Sequence, residues 1–173
     1  MEDQPNVTVK GVSIKYGVIS ALVGIIYFIG LDLAGQAGNQ KLGYIGLIFT
    51  AVIIYLAHKE FQKNGDGYMS YKQGLGIGTL LSLVGSGISS LFTFAYVQLI
   101  NPAFLDVIRE QQIMEFEKRG MSDAEIDQAM KIAEMFSGPT AMLVFGIFFG
   151  TLFGFILALI ISAITKKNNP EFS

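Results

Sequence analysis

The chain has 173 residues, 51% hydrophobic and 15% charged, with a net charge of −2 and a mean hydropathy of +0.50. That balance lies on the membrane side of globular averages, and so small a net charge without a basic cluster gives no footing for nucleic acid as a partner. Cysteine is absent, which excludes disulfides, thiolate metal sites and cysteine catalysis.

In chain order, a polar and partly acidic start (MEDQPNVTVK) leads into an apolar run over about residues 16–33. The run is too long for a signal-peptide core and lacks a small-x-small cleavage site, so it is expected to remain as a first membrane span, Tyr16–Leu33. The glycine-punctuated stretch Gly35–Gln40 predicts a tight turn into a second span, Leu42–Ala57. Lys63-Asn64-Gly65-Asp66-Gly67 predicts the next turn, before a third span, Leu75–Ile100. A fourth span, Thr140–Thr165, contains no ionisable side chain at all, and a lipid-spanning helix is the sensible home for such a run. A hydrocarbon core of about 30 Å needs about 20 residues at about 1.5 Å each. The first two spans are therefore expected to be slightly short and to lean on Lys15, Lys41, His58 and Lys59 reaching the interface. The tyrosines, among them Tyr16, Tyr44, Tyr68 and Tyr96, fall toward span ends, as an interfacial belt does.

The connection Asn101–Pro139 is the one sizeable polar segment. Asn101-Pro102 predicts a helix start, with asparagine as the cap and proline at the first helical position, and Gly120 predicts its stop. Ser122-Asp123-Ala124-Glu125 predicts a capping box opening a second helix, along which Ile126, Ala129, Met130, Ala133 and Phe136 form an apolar stripe. The expectation is an amphipathic helical hairpin over about 102–137, acidic on its outer face. Its stripe has three candidate covers: the first hairpin helix through Phe104, Leu105 and Ile108, the membrane surface, or another protein. The predicted fold class is thus all-α and polytopic, with four membrane helices and a hairpin between the third and fourth.

Small residues recur at every fourth position in the last two spans. Gly74, Gly78, Ser82, Ser86 and Ser90 share one face of the third; Gly146, Gly150, Gly154, Ala158 and Ser162 share one face of the fourth. Such ladders let helix backbones approach closely. Packing between the two spans is the leading reading, a homodimer face the second and a permeation groove the third. The Gly74-Leu75-Gly76-Ile77-Gly78 pattern superficially resembles a phosphate loop, but such a loop needs a βαβ setting that this chain does not offer.

Two polar residues stand out. His58 falls where the second span meets water beside Lys59 and Glu60. It reads as a boundary residue, with a proton relay as the alternative. Asp32, near the end of the first span, reads as interfacial, with an intramembrane functional carboxylate as the alternative. No HExxH, Cys/His ligand set or Ser–His–Asp arrangement is present, so the sequence predicts no catalytic, cofactor-binding or metal-binding residue. Basic residues near span ends (Lys10, Lys15, Lys59, Lys63, Lys72, Lys166, Lys167) place both termini in the cytoplasm and the hairpin outside. The functional expectation is a non-enzymatic scaffold or accessory subunit, held in the lipid bilayer with a protein partner or as a homo-oligomer. The alternative is a small transporter or channel formed by an oligomer.

The stretch Gly67-Tyr68-Met69-Ser70-Tyr71-Lys72-Gln73-Gly74, the pair Asn101-Pro102, the loop Gly120–Ile126 and the tail Lys166–Glu171 resemble a bacterial membrane family, domain of unknown function 4199, common in Bacteroidota. The resemblance spans nearly the whole chain and is strongest from about Tyr55 onward. It implies a four-span inner-membrane protein with no catalytic residues to carry over, and associates the chain with lipid-linked glycan enzymes.

Overall fold

The computed structural model describes residues 7–37 and 39–167; Gly38 of the first turn, the polar residues 1–6 and the tail from residue 168 lie outside them. Among the described residues six α-helices follow one another: α1 (Val9–Leu33), α2 (Gln40–Asn64), α3 (Tyr71–Ala95), α4 (Phe104–Lys118), α5 (Asp123–Ser137) and α6 (Pro139–Thr165). No strand occurs among the described residues, and four helices are long and apolar enough to cross a membrane.

The first two spans are not short. Each helix has 25 residues. Thr8 caps α1 with its hydroxyl, which accepts the Gly11 N–H at 3.0 Å, so the helix starts seven residues before Tyr16. α2 runs on past Ala57 because His58 and Phe61 turn inward, both buried, instead of meeting water. α3 begins at Tyr71, where Ser70 and Gln73 form a capping box that the sequence reading did not use. Its far end closes in a π-helical turn, Tyr96–Ile100, with the Asn101 N–H donating to the Tyr96 carbonyl at 2.9 Å.

The expected cap at Asn101 is not formed. Ala103 is the N-cap of α4 and Phe104 its first residue. The π turn and an engagement of the Asn101 amide with Asp32 hold that residue in the preceding corner.

α3 is the central helix, packed most extensively against α6 on one side and α1 on the other, while α2 leans on α1 and α6. The buried core (Val12, Ile53, Ile54, Ala57, Phe61, Met69, Ile77, Leu81) lies at the end of the bundle that carries the first residues of α1 and the last of α6. At the opposite end the packing is aromatic: the Phe28 ring lies 5.3 Å from those of Tyr96 and Phe104. Leu33, Leu99 and Ile164 are each more than 70% exposed, the pattern of a lipid-facing belt. Lipid tails are as apolar as leucine, so burial alone does not press such helices together; close contact and hydrogen bonds must do so.

The α3–α6 contact is close throughout. A Cβ at Gly74 would lie 2.9 Å from Ser162 Oγ, one at Gly78 would meet Ala158, and ones at Gly154, Gly150 and Gly146 would meet Ser82, Ser86 and Ser90 in turn. Every rung of this antiparallel seam has a glycine on one side. A second close approach joins α1 to α3, where a Cβ at Gly17 would lie 2.7 Å from Val84 Cβ.

Gly120, at φ +76°, reverses the chain between α4 and α5, a conformation glycine adopts without steric cost. Arg109 of α4 pairs with Glu134 of α5 at 2.9 Å. Along the α5 stripe Ile126 and Met130 are buried, while Phe136 is half-exposed and its ring sits 4.9 Å from that of Phe145 on α6.

Candidate functional site

A buried polar cluster surrounds His58. The imidazole is fully buried, contrary to the expectation of a boundary residue. Nε2 lies 2.9 Å from the Gly74 carbonyl on α3, and Nδ1 lies 2.8 Å from Thr165 Oγ1 on α6. One side chain on α2 therefore joins three helices. Gly74 makes this reachable, because a Cβ there would press on Ser162 and Met69.

The donor and acceptor arithmetic is restrictive. A carbonyl only accepts, so Nε2 carries a proton. The Thr165 hydroxyl has one proton and two suitors, Nδ1 and the Ile161 carbonyl, which lies 2.8 Å away. With a neutral ring the hydroxyl donates to Nδ1; with an imidazolium Nδ1 donates to the hydroxyl, which donates to Ile161. Either state leaves both ring nitrogens satisfied. Gln62 Nε2 adds a 2.7 Å donation to the Thr165 carbonyl, and Met69 and Lys167 exchange backbone hydrogen bonds of 3.0 and 2.9 Å. Together these tie the end of α6 to α2 and to the start of α3.

Neighbouring contacts fasten α1. Ser13 Oγ donates to the Val9 carbonyl at 2.7 Å and approaches the Ile77 carbonyl at 3.2 Å. Glu60 accepts from Lys15 at 2.8 Å and from the Tyr16 hydroxyl at 3.0 Å. Among the described residues Ser162 Oγ is the buried side-chain polar atom without a hydrogen-bond partner.

Asp32 sits at the other end, half-buried. Its Oδ2 accepts from the Tyr96 hydroxyl at 2.5 Å and from Asn101 Nδ2 at 3.2 Å. The carboxylate thereby bonds α1 to the π turn and to the corner that leads into α4. The structure does not bring Asp32 and His58 together; they occupy opposite ends of the bundle.

Cavities open at the hairpin end. One of about 500 Å³ lies between the α1–α2 turn and α4. Another, of about 400 Å³, lies among α4, α5 and the start of α6, with Leu105, Ile108, Met130 and Met142 on its walls and Arg109 and Glu134 beside them. Among the described residues no group of three or more His, Asp and Glu side chains is placed to hold a metal ion.

Sequence reasoning missed the partners of His58. Thr165 lies 107 residues away, and a threonine at the end of an apolar span carries no local sign of such a role. Phe61 gave a signal, since it continues the inward face of α2 set by Ile54, Ala57 and His58 one turn beyond the expected helix end.

A family model described as "Protein of unknown function (DUF4199)" matches residues 15–167. No curated protein matches, and no solved structure does.

Proposed function

The chain belongs to the DUF4199 family of proteins of unknown function, and from there we propose that it is a non-enzymatic scaffold or accessory subunit of an inner-membrane complex. One observation carries the reading. The two titratable side chains singled out within the bundle, His58 and Asp32, are both engaged across helices, and among the described residues Ser162 Oγ is the fully buried side-chain polar atom without a partner. A transport path needs polar groups that face an interior and remain available to a passing solute. A proton relay needs a histidine with a route to water. Here His58 is sealed and Asp32 is bound from two sides.

What remains available lies on the hairpin. Ile132 and Met135 of α5 are 61% and 74% exposed beside its acidic residues. We assign this face to a protein partner. The lysines at the opposite end (Lys10, Lys15, Lys59, Lys63, Lys72, Lys166, Lys167) support cytoplasmic termini and an extracytoplasmic hairpin. Small-xxx-small packing of α3 on α6 is the feature that makes the bundle a fixed platform.

Photo-crosslinking in intact cells tests the function. A crosslinker at Met135 is expected to capture one discrete protein, and one at Ile48, on the lipid belt, only lipid. Lipid or nothing at both Ile132 and Met135 would remove the scaffold reading. Because the chain lacks cysteine, single cysteines at Asn64 and Gln128 test the orientation with an impermeant thiol reagent. Labelling of Gln128→Cys from outside, and not Asn64→Cys, is expected; the reverse pattern overturns the topology.

A further inference from the structure

We propose that the cavity between the α1–α2 turn and α4 binds a phosphate group, carried either by a lipid headgroup or by a soluble phosphate. The cavity holds about 500 Å³ and is walled by Gln36, Asn39 and Lys41 from the turn and by Gln111, Gln112 and Lys118 from α4. That volume suits a small ligand.

The chemistry of the walls is one of donors seeking acceptors. Lys41 and Lys118 come from different elements and face the same space, and among the described residues neither has a carboxylate within ion-pair distance. Glu115, also on the wall, approaches Arg119 at 3.5 Å. Asn39 is already committed: its Oδ1 accepts the Lys41 N–H and its amide donates to Gln36 Oε1. No hydrogen bond holds the Gln111 and Gln112 amides among the described residues. Two ammonium groups and several amide N–H groups are therefore left facing a common volume. A phosphate offers several acceptor oxygens and the negative charge to neutralise both lysines. The start of α2 adds the favourable end of its helix dipole to the same wall.

Location and surroundings narrow the ligand further. Lys41 opens a membrane span, so the cleft lies at headgroup level. The hairpin around it is acidic, with Asp106, Glu110, Glu117, Asp123 and Asp127. A loose cloud of anions is repelled from such a surface; only a ligand that enters the cleft meets net positive charge.

The test uses the full chain in phosphatidylcholine nanodiscs, with a fluorophore on Met114→Cys as the reporter. Phosphatidylglycerol is introduced into the discs in one arm and inorganic phosphate into the buffer in the other. A saturable response to the lipid alone identifies a headgroup; a saturable response to inorganic phosphate identifies a soluble phosphate. In either case K41Q/K118Q is expected to bind about tenfold or more weakly, K41R/K118R to retain the response, and K63Q/K131Q to match the parent. Both lysines are exposed, so the substitutions remove charge without opening the core. The proposal is overturned if neither probe gives a saturable response, if K41Q/K118Q responds like the parent, or if K63Q/K131Q loses as much.

Discussion

The two ends of the bundle solve the problem of packing helices in lipid in opposite ways. At the His58 end polar side chains are matched across helices, imidazole to carbonyl and hydroxyl, glutamine to carbonyl, glutamate to lysine and tyrosine, with the buried Ser162 Oγ left over. At the hairpin end it ties one carboxylate between α1 and the π turn and leaves cavities on both sides of α4. The lesson is a division of labour along the membrane normal. Helices that gain nothing from hydrophobic exclusion are fixed by glycine contacts along their length and by a hydrogen-bonded cluster at one end, so the other end is free to present surfaces and clefts.

The largest effect should come from forcing the fixed part apart. A Cβ at Gly154 falls within the space of the Ser82 side chain, so Gly154→Leu is expected to separate α3 from α6. Overpacking costs about 1–3 kcal/mol in well-packed interiors, and a displaced helix pair lies at the upper end of that range. Gly46→Leu is the matched control, because nothing lies within 4 Å of a Cβ there. Equal thermal midpoints for the two variants in detergent would end the idea that the seam holds the bundle.

His58→Ala comes next. It removes two buried hydrogen bonds, the one to the Gly74 carbonyl, which keeps its helical partner, and the one to the Thr165 hydroxyl, at a cost of about 1–3 kcal/mol. Thr165→Val, which leaves the Nε2 bond in place, should cost less. A His58→Ala protein as stable as its parent would mean that water enters this end of the bundle and the contrast between the ends is false.

These residues also mark how far the sequence could be read. Helix existence and order were legible because lipid imposes long uncharged runs, and the hairpin because Gly120 and Ser122–Glu125 punctuate it. The small residues at every fourth position were visible too. Which rung faces which was not, since spacing fixes a face but not the register between two faces. The Gly17 contact on Val84 has a shorter ladder behind it, Ser13, Gly17 and Ala21, all buried on one face of α1, but three positions are a weaker signal than five. His58 was misplaced for a related reason: its burial depends on Gly74 and Thr165, residues whose nearness only the folded chain establishes. Asn101 was read as a cap because local pattern favours it, yet a tertiary partner, Asp32, took its side chain.

A smaller effect probes the open end. Asp32→Ala removes the acceptor shared by Tyr96 and Asn101. Hydrogen bonds to a charged group contribute about 1.5–3 kcal/mol, and half-exposure brings the expected loss toward the lower end. Because the same carboxylate holds the corner that leads into α4, limited proteolysis of the hairpin should accelerate more than unfolding of the bundle. Proteolysis of hairpin and bundle accelerating together would show that the two ends are a single cooperative unit.

The smallest effect probes the start of α5 by pH. Glu125 accepts from the Ser122 N–H at 2.8 Å and from its hydroxyl at 2.7 Å, and these bonds hold its carboxyl below its ordinary value of 4.5. A carboxyl with a depressed pKa in the folded state stabilises fully above its unfolded value, and that contribution is lost as pH falls through the folded one. The start of α5 should therefore be intact from neutrality down to about 4.5 and fray below it. Glu125→Gln keeps an acceptor but removes the charge, so its α5 start should show no transition in this window. NMR shifts of the Ser122 and Ile126 amides in detergent, recorded from pH 7 to pH 3, read the fraying directly. A transition centred above the ordinary carboxylate value, or one unchanged in Glu125→Gln, would assign the effect to some other group.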